Sequence, residues 1–114
     1  MISVGVDIEE ISRFKDKSTA FCERIFTKNE LEYCFKNSFP ERHLAARYCA
    51  KEAVVKALAN LYFEVIPYSK IEILKNKNGS VYINILIEEL KKYKYSLSIS
   101  HEKNKAIAFV VVEY

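Results

Sequence analysis

Apolar residues recur along this chain with two periods, and the points where the period changes divide it into elements. From Ile2 to Ile8 the residues alternate, with Ile2, Val4, Val6 and Ile8 in one row and Ser3, Gly5 and Asp7 in the other, as in a strand with one buried face. Asp7 then points away from the apolar row. Glu9 to about Lys15 reads as a short helix, and Thr27-Lys-Asn-Glu30 is a capping box opening a helix that runs to about Lys36. Pro40 starts the longest helix, in which Leu44, Tyr48, Val55, Ala59 and Tyr62 recur at three- and four-residue steps, predicting one face packed on a core.

Beyond that helix, Lys70 to Lys75 predicts a strand. Asn76-Lys-Asn-Gly79 supplies residues that tolerate positive φ in a hairpin turn, and Val81 to Ile85 is the returning strand. Leu86 to Tyr93 has helical spacing, Tyr95 to His101 alternates again, and Glu102 to Lys105 turns the chain into a last strand. In that strand Ile107, Phe109 and Val111 lie on one face and Ala106, Ala108, Val110 and Val112 on the other, so both faces are apolar. Either a helix packs on each side or another subunit covers one of them. The pattern predicts an α+β fold in the order β-ααα-ββ-α-ββ, with an antiparallel sheet packed on the long helix.

Length and composition narrow the class. The chain has 114 residues, half of them apolar, enough to bury about two thirds of its unfolded surface in one core. A single domain over residues 1–114 is expected. With two glycines and two prolines, no stretch reads as a linker or repeat. The first residues lack the basic leader and apolar run of a signal peptide, and no apolar run reaches membrane-spanning length. A cytoplasmic protein with no membrane association is expected. Cys22, Cys34 and Cys49 are widely separated, without zinc-ligand spacing, and read as reduced structural thiols. A net charge of +3 gives no argument for nucleic acid. Arg13, Lys15, Lys17, Arg24 and Lys28 nevertheless crowd one early segment, either as solvated surface or as a docking patch for an acidic partner.

Candidate chemistry begins with Glu52, which falls in the apolar row of the long helix. A carboxylate buried there is costly unless a metal, a lysine or an arginine meets it. Lys56, one turn on, is the nearest cation, and an ordinary i,i+4 ion pair is the plain explanation. Asp7 stands at a strand end before Glu9 and Glu10. If Asp7 and Glu52 converge they suit Mg²⁺, which is held by one or two carboxylates and completes its shell with water and phosphate. His101 shares a strand face with Leu97 and Ile99, where a lone histidine is more often a hydrogen-bonded core or rim residue than a catalyst.

Three segments carry a resemblance. Gly5-Val-Asp7-Ile, Arg47-Tyr-Cys-Ala-Lys51-Glu52-Ala-Val-Val-Lys56-Ala-Leu and Ser98-Ile-Ser100-His101 resemble, in order and from end to end of the chain, the motifs of the holo-[acyl-carrier-protein] synthase family of 4′-phosphopantetheinyl transferases. The middle segment matches the specific pattern R-[FY]-x-A-K-E-A-x-x-K-A-[LF]. The resemblance implies transfer of the phosphopantetheine arm of coenzyme A to a serine of apo acyl carrier protein, in support of fatty acid biosynthesis, with release of adenosine 3′,5′-bisphosphate.

By the same resemblance Asp7 and Glu52 match Mg²⁺ ligands, and Glu9 matches a third acidic position held in some relatives. Lys56 matches the lysine facing the reacting phosphate, Lys51 and His101 are expected to meet coenzyme A phosphate, and Glu52 or a metal-held water is the expected proton acceptor. Arg13, Phe21 and Arg24 match the surface that docks the carrier protein, and the family works as a homotrimer with coenzyme A between neighbouring subunits. Two departures stand out: Ala59-Asn-Leu-Tyr-Phe replaces the usual Gly-rich turn, and Gly79-Ser-Val replaces G-[KR]-P.

Overall fold

The computed structural model describes every residue from Met1 to Tyr114. Its spine is the long helix α3 (Pro40–Leu58), which follows α1 (Thr19–Ile25) and α2 (Lys28–Phe35). Pro40 at the first turn needs no hydrogen-bonded N–H, Glu41 and Lys56 complement the two ends of the helix dipole, and five alanines favour the helix between them.

Strands β1 (Ile2–Glu10), β4 (Lys94–His101) and β5 (Lys105–Glu113) form an antiparallel sheet in the order β1-β5-β4. The hairpin of β2 (Ile71–Lys75) and β3 (Val81–Ile85) is a separate ladder. Its turn carries Gly79 at φ +92, where a side chain would be strained. No helix is long and apolar enough to cross a membrane.

Helix α3 lies directly on the inner face of the three-stranded sheet, and Gly5 sets how closely. A Cβ built on Gly5 would stand 2.0 Å from the Ala53 carbonyl oxygen and 2.7 Å from the Ala57 nitrogen. The apposition therefore exists only because that position has no side chain. Small residues match it on both sides, with Ala53, Ala57, Ala108 and Val110 all fully buried. Ser3 Oγ donates to the Ala57 carbonyl at 2.6 Å, and Cys49 Sγ donates to that of Asp7 at 2.9 Å, fastening strand to helix.

This close contact overturns two expectations. Leu44 is buried as expected, but the core row continues through Ala46, Cys49, Ala50, Ala53, Val54, Ala57 and Leu58, whereas Tyr48, Glu52 and Val55 line the helix edge, partly buried, and the exposed Ala59 and partly buried Tyr62 lie beyond its end. A helix pressed onto backbone selects small side chains, so the larger ones are displaced to the flank. Strand β1 is likewise inverted. Ser3, Gly5, Asp7 and Glu9 face the helix, while Ile2, Val4, Val6 and Ile8 are at least half exposed on the outer face. There they continue into Ile107 and Phe109 of β5, paired across the ladder as Ile8 with Ile107 and Val6 with Phe109.

Two short helices also differ from expectation. Residues 9–15 do not form one helix, because β1 stays paired with β5 as far as Glu10 opposite Lys105, and only a 3₁₀ turn follows at Ile11–Phe14. The helix of that region is α1, begun by Ser18, whose side chain accepts from the Phe21 N–H. Within Leu86 to Tyr93, only Glu88–Leu90 turns, as 3₁₀.

The fully buried charge on α3 is Lys51 rather than Glu52. Lys51 Nζ donates to Glu30 Oε1 at 2.7 Å, to the Tyr68 carbonyl at 2.8 Å and to the Ile71 carbonyl at 2.5 Å. Glu30 also accepts from the Thr27 N–H, closing the predicted capping box, and from the Ile73 N–H on its other oxygen. Burial pulls the Lys51 ammonium below its usual range, and Glu30 opposes that pull. Replacing Lys51 with Met strands the Glu30 carboxylate, so Lys51→Met is expected to lose about 3–5 kcal/mol of stability in urea unfolding. An unchanged midpoint would contradict the assignment of Lys51 as the brace between α2, α3 and β2.

Candidate active site

The inward row of β1 and the edge of α3 bring Asp7, Glu9, Glu52 and Lys56 into one acidic site. Lys56 Nζ lies 3.2 Å from Asp7 Oδ1 and donates to the Val6 carbonyl at 3.0 Å, so the lysine reaches across to the strand rather than back along its helix to Glu52. Asp7 Oδ2 is buried without a hydrogen-bond partner. Glu52 Oε1 accepts from Tyr48 at 2.9 Å and from Tyr68 at 2.6 Å. Burial, together with this carboxylate, pushes the Tyr48 phenol up to about 12 and raises that of Tyr68 as well.

Glu9 is ion-paired with Arg13, yet its carboxyl is pushed up to about 7, first by burial and then by the neighbouring Asp7, with Arg13 pulling the other way and Glu52 adding to the rise. The cluster thus concentrates more negative charge than its lysine and arginine compensate. An orphaned Asp7 oxygen, a Glu52 oxygen without a protein donor and a carboxyl reluctant to ionise fit a divalent cation. No three acidic, histidine or cysteine side chains enclose an ion by themselves. That suits a cation such as Mg²⁺, which leaves much of its shell to water and substrate oxygens.

A second site opens on the other flank of α3. Arg42, His43 and Arg47 join Lys75 of β2 and His101 of β4 around a cavity of ≈ 390 Å³. At 3.6 residues per turn His43 and Glu52 are half a turn out of phase, which sends the basic and acidic sites to opposite sides of the helix. The sheet register agrees. His101 pairs with Ala106, which pairs with Glu9, so His101 stands two strands, roughly 10 Å, from the acidic row. Arg47 is buried, its guanidinium 4.5 Å from the Tyr33 ring centre, and its Nε finds no acceptor. His43 is lowered by burial and then by Arg47, Lys75 and His101. Arg42, Arg47 and Lys75, with no carboxylate among the lining residues, give this cavity the charge to attract an anion.

Arg13 and Phe21 line a small cleft with Phe14, Lys17, Ile25 and Tyr48, beside the acidic site. Arg24 is exposed in the last turn of α1. Of the residues singled out from sequence, Asp7, Glu9, Glu52 and Lys56 gather together, and His101 lies apart in the basic cavity. Lys51 contacts neither site. With its three donors committed inside the protein it has none for a phosphate, which corrects the expectation drawn from its motif. Sequence reasoning missed Tyr48 and Tyr68, which look like core aromatics, and the set of Arg42, His43, Arg47 and Lys75, in which Lys75 comes from a separate element and the helical members read as ordinary surface charge.

The raised Glu9 carboxyl has a consequence for metal-free protein. Between its ordinary value of 4.5 and about 7 the folded state holds a proton that the unfolded chain releases, so this group's contribution to stability falls as pH rises through that window and is level above it. A carboxyl-carbon NMR titration should show Glu9 changing near pH 7 without metal and at lower pH once Mg²⁺ is added. A midpoint near 4.5 in metal-free protein would contradict the described environment.

Comparison with known proteins identifies the family of the chain. The family model for the 4′-phosphopantetheinyl transferase superfamily matches residues 3–110. The holo-[acyl-carrier-protein] synthase of Protochlamydia amoebophila is 41% identical over 117 residues, covering 96% of each chain. The crystal structure of that enzyme from Neisseria meningitidis superposes with a TM-score of 0.85 at 31% identity, covering 100% of both chains. The Helicobacter pylori structure, solved in complex with coenzyme A, superposes with a TM-score of 0.83 at 30% identity, over 96% of this chain and 99% of the other. With a family model spanning nearly all of its length and relatives aligned from end to end, this chain belongs to the 4′-phosphopantetheinyl transferase superfamily.

Proposed function

We propose that this protein transfers 4′-phosphopantetheine from coenzyme A to a serine hydroxyl of apo acyl carrier protein, with Mg²⁺ as its metal. The observation that carries the reading is the buried, unpartnered Asp7 Oδ2 beside Glu52 and Lys56, on a fold shared with holo-[acyl-carrier-protein] synthases. Asp7 and Glu52 would hold the cation, with Glu9 at its edge. Bound there, Mg²⁺ would neutralise charge on the diphosphate. Lys56, half exposed beside Asp7, would meet a phosphoryl oxygen as charge develops on it.

The serine oxygen forms a bond to the phosphorus carrying the pantetheine arm, its proton would pass to Glu52 or to a water held at the acidic site, and the bond from that phosphorus to adenosine 3′,5′-bisphosphate breaks, the bisphosphate oxygen leaving with the electron pair. Arg42, His43, Arg47, Lys75 and His101 would take the phosphate-bearing end of coenzyme A in a cavity of ordinary ligand size. Arg13, Phe21 and Arg24, on basic surface adjoining the acidic site, would receive the acidic carrier protein. Together with its carrier protein, the enzyme would act in the cytoplasm, in fatty acid biosynthesis.

We infer that it works as a homotrimer, a reading that two features of the protomer support. The acidic and basic sites open on opposite flanks of α3, so coenzyme A would join them between neighbouring copies. The outer sheet face of Val4, Val6, Ile8, Ile107 and Phe109 is apolar and uncovered, and neighbouring sheets would bury it.

Intact-mass spectrometry tests the reaction. Apo acyl carrier protein incubated with coenzyme A and Mg²⁺ should gain one phosphopantetheine arm, and should gain none with EDTA. Asp7→Ala and Glu52→Ala should each slow transfer about 100-fold or more while retaining the fold. Full turnover in both variants would overturn the site assignment. Sedimentation tests the assembly: Val6→Lys or Phe109→Lys should give monomers with little transfer, and an unaltered oligomer in both would place the interface elsewhere.

A further inference from the structure

Two phenols end on the same carboxylate oxygen, and neither the metal reading nor the packing of the fold explains why they are phenols. Tyr48 and Tyr68 both donate to Glu52 Oε1, at 2.9 and 2.6 Å, and no protein donor meets Oε2. The rings cross edge to face with centroids 5.5 Å apart, and Tyr48 packs on Phe14 at 5.2 Å. Phenylalanine at either position would fill the same space. What the hydroxyls add is a pair of hydrogen bonds to a single oxygen.

The terminal torsion of a glutamate is broad and roughly two-fold, so an unheld carboxylate turns readily. Two donors arriving at Oε1 from separate elements remove that freedom and leave Oε2 as the oxygen without a partner. Tyr48 is rigid because it is part of α3 itself. Tyr68 sits in the turn before β2, where its carbonyl accepts from buried Lys51 at 2.8 Å. Both phenols are therefore fixed from behind before any ligand arrives.

We propose that Tyr48 and Tyr68 are positioning residues of the transfer reaction, which orient Glu52 so that Oε2 is the oxygen it offers to the divalent cation. The proposal rests on the reading of Glu52 as a metal ligand. Hydrogen-bond partners of metal-binding carboxylates typically contribute roughly 10- to 100-fold in metal affinity. An effect of that order is expected here, divided between the two hydroxyls.

Mn²⁺ serves as the probe, titrated into full-length protein with coenzyme A and no carrier protein, free Mn²⁺ being read by electron paramagnetic resonance. Tyr48→Phe, Tyr68→Phe, the double variant and Glu52→Gln are compared, with thermal melts of each. Support is a Mn²⁺ dissociation constant raised roughly 10- to 100-fold in the double variant and less in each single variant. The Mg²⁺ concentration for half-maximal transfer should rise with it, while the KM for coenzyme A at saturating Mg²⁺ stays unchanged. If Glu52→Gln weakens Mn²⁺ binding but the phenylalanine variants bind it like the unaltered chain, whatever their melting temperatures, the phenols only pack and the inference fails while Glu52 remains a ligand. If Glu52→Gln itself binds Mn²⁺ like the unaltered chain, the ligand reading fails and takes the inference with it. Either single variant suffices should the double variant fold poorly.

Discussion

The rest of the structure depends on one buried ion pair. Lys51 and Glu30 are both wholly excluded from solvent, a costly arrangement unless every donor and acceptor is used. Here they are used. Lys51 meets Glu30 and the carbonyls of Tyr68 and Ile71, and the two Glu30 oxygens take the Lys51 ammonium and the N–H groups of Thr27 and Ile73. The pair thereby fixes the start of α2, the middle of α3 and the first strand of the hairpin against one another. It also fixes Tyr68, which reaches Glu52. Successive residues on a helix point about 100° apart, so Lys51 enters the interior while Glu52 emerges at the edge facing β1. One side chain braces the fold and the next belongs to the site.

Gly5 is the second constraint. By letting the α3 backbone rest on β1, it brings Asp7, two residues along the same inward row, beside Lys56 and the flank that carries Glu52. The same contact leaves the apolar row of β1 on the outer face. A protomer with polar residues turned towards its helix and aliphatic ones turned out has its strands patterned for an interior that it does not complete alone, and this is the physical basis of the proposed trimer.

The sequence made much of this legible. Capping signals located α2 and the start of α3, the Asn and Gly of the turn located the hairpin, alternation put His101 on the inner face of β4, and the acidic motif residues came together as the family resemblance implied. What stayed hidden was hidden for definable reasons. A two-residue period separates two rows without saying which one meets the helix, so β1 was read inside out. A lysine within an amphipathic helix normally reads as solvated, and its partner Glu30 lies 21 residues earlier, beyond any local rule. Tyr48 and Tyr68 differ from core phenylalanines by one oxygen each, whose purpose shows only when Glu52 is seen between them. The basic cavity draws on α3, β2 and β4, and although Arg47 and His101 stand in motifs, no single linear motif joins them to Arg42, His43 and Lys75.

In the proposed reading, function requires the acidic flank of one copy and the basic flank of its neighbour. Subunit mixing tests this most directly. Asp7→Ala protein and protein carrying His43→Ala with His101→Ala are purified separately, dissociated, mixed and reassembled, and transfer to apo acyl carrier protein is measured before and after. The account predicts that each protein alone is nearly inactive and that the mixture regains activity, because some interfaces then pair an intact acidic flank with an intact basic one. A mixture no more active than its two components, in assemblies shown to have exchanged subunits, would contradict the account and return both halves of the site to a single chain.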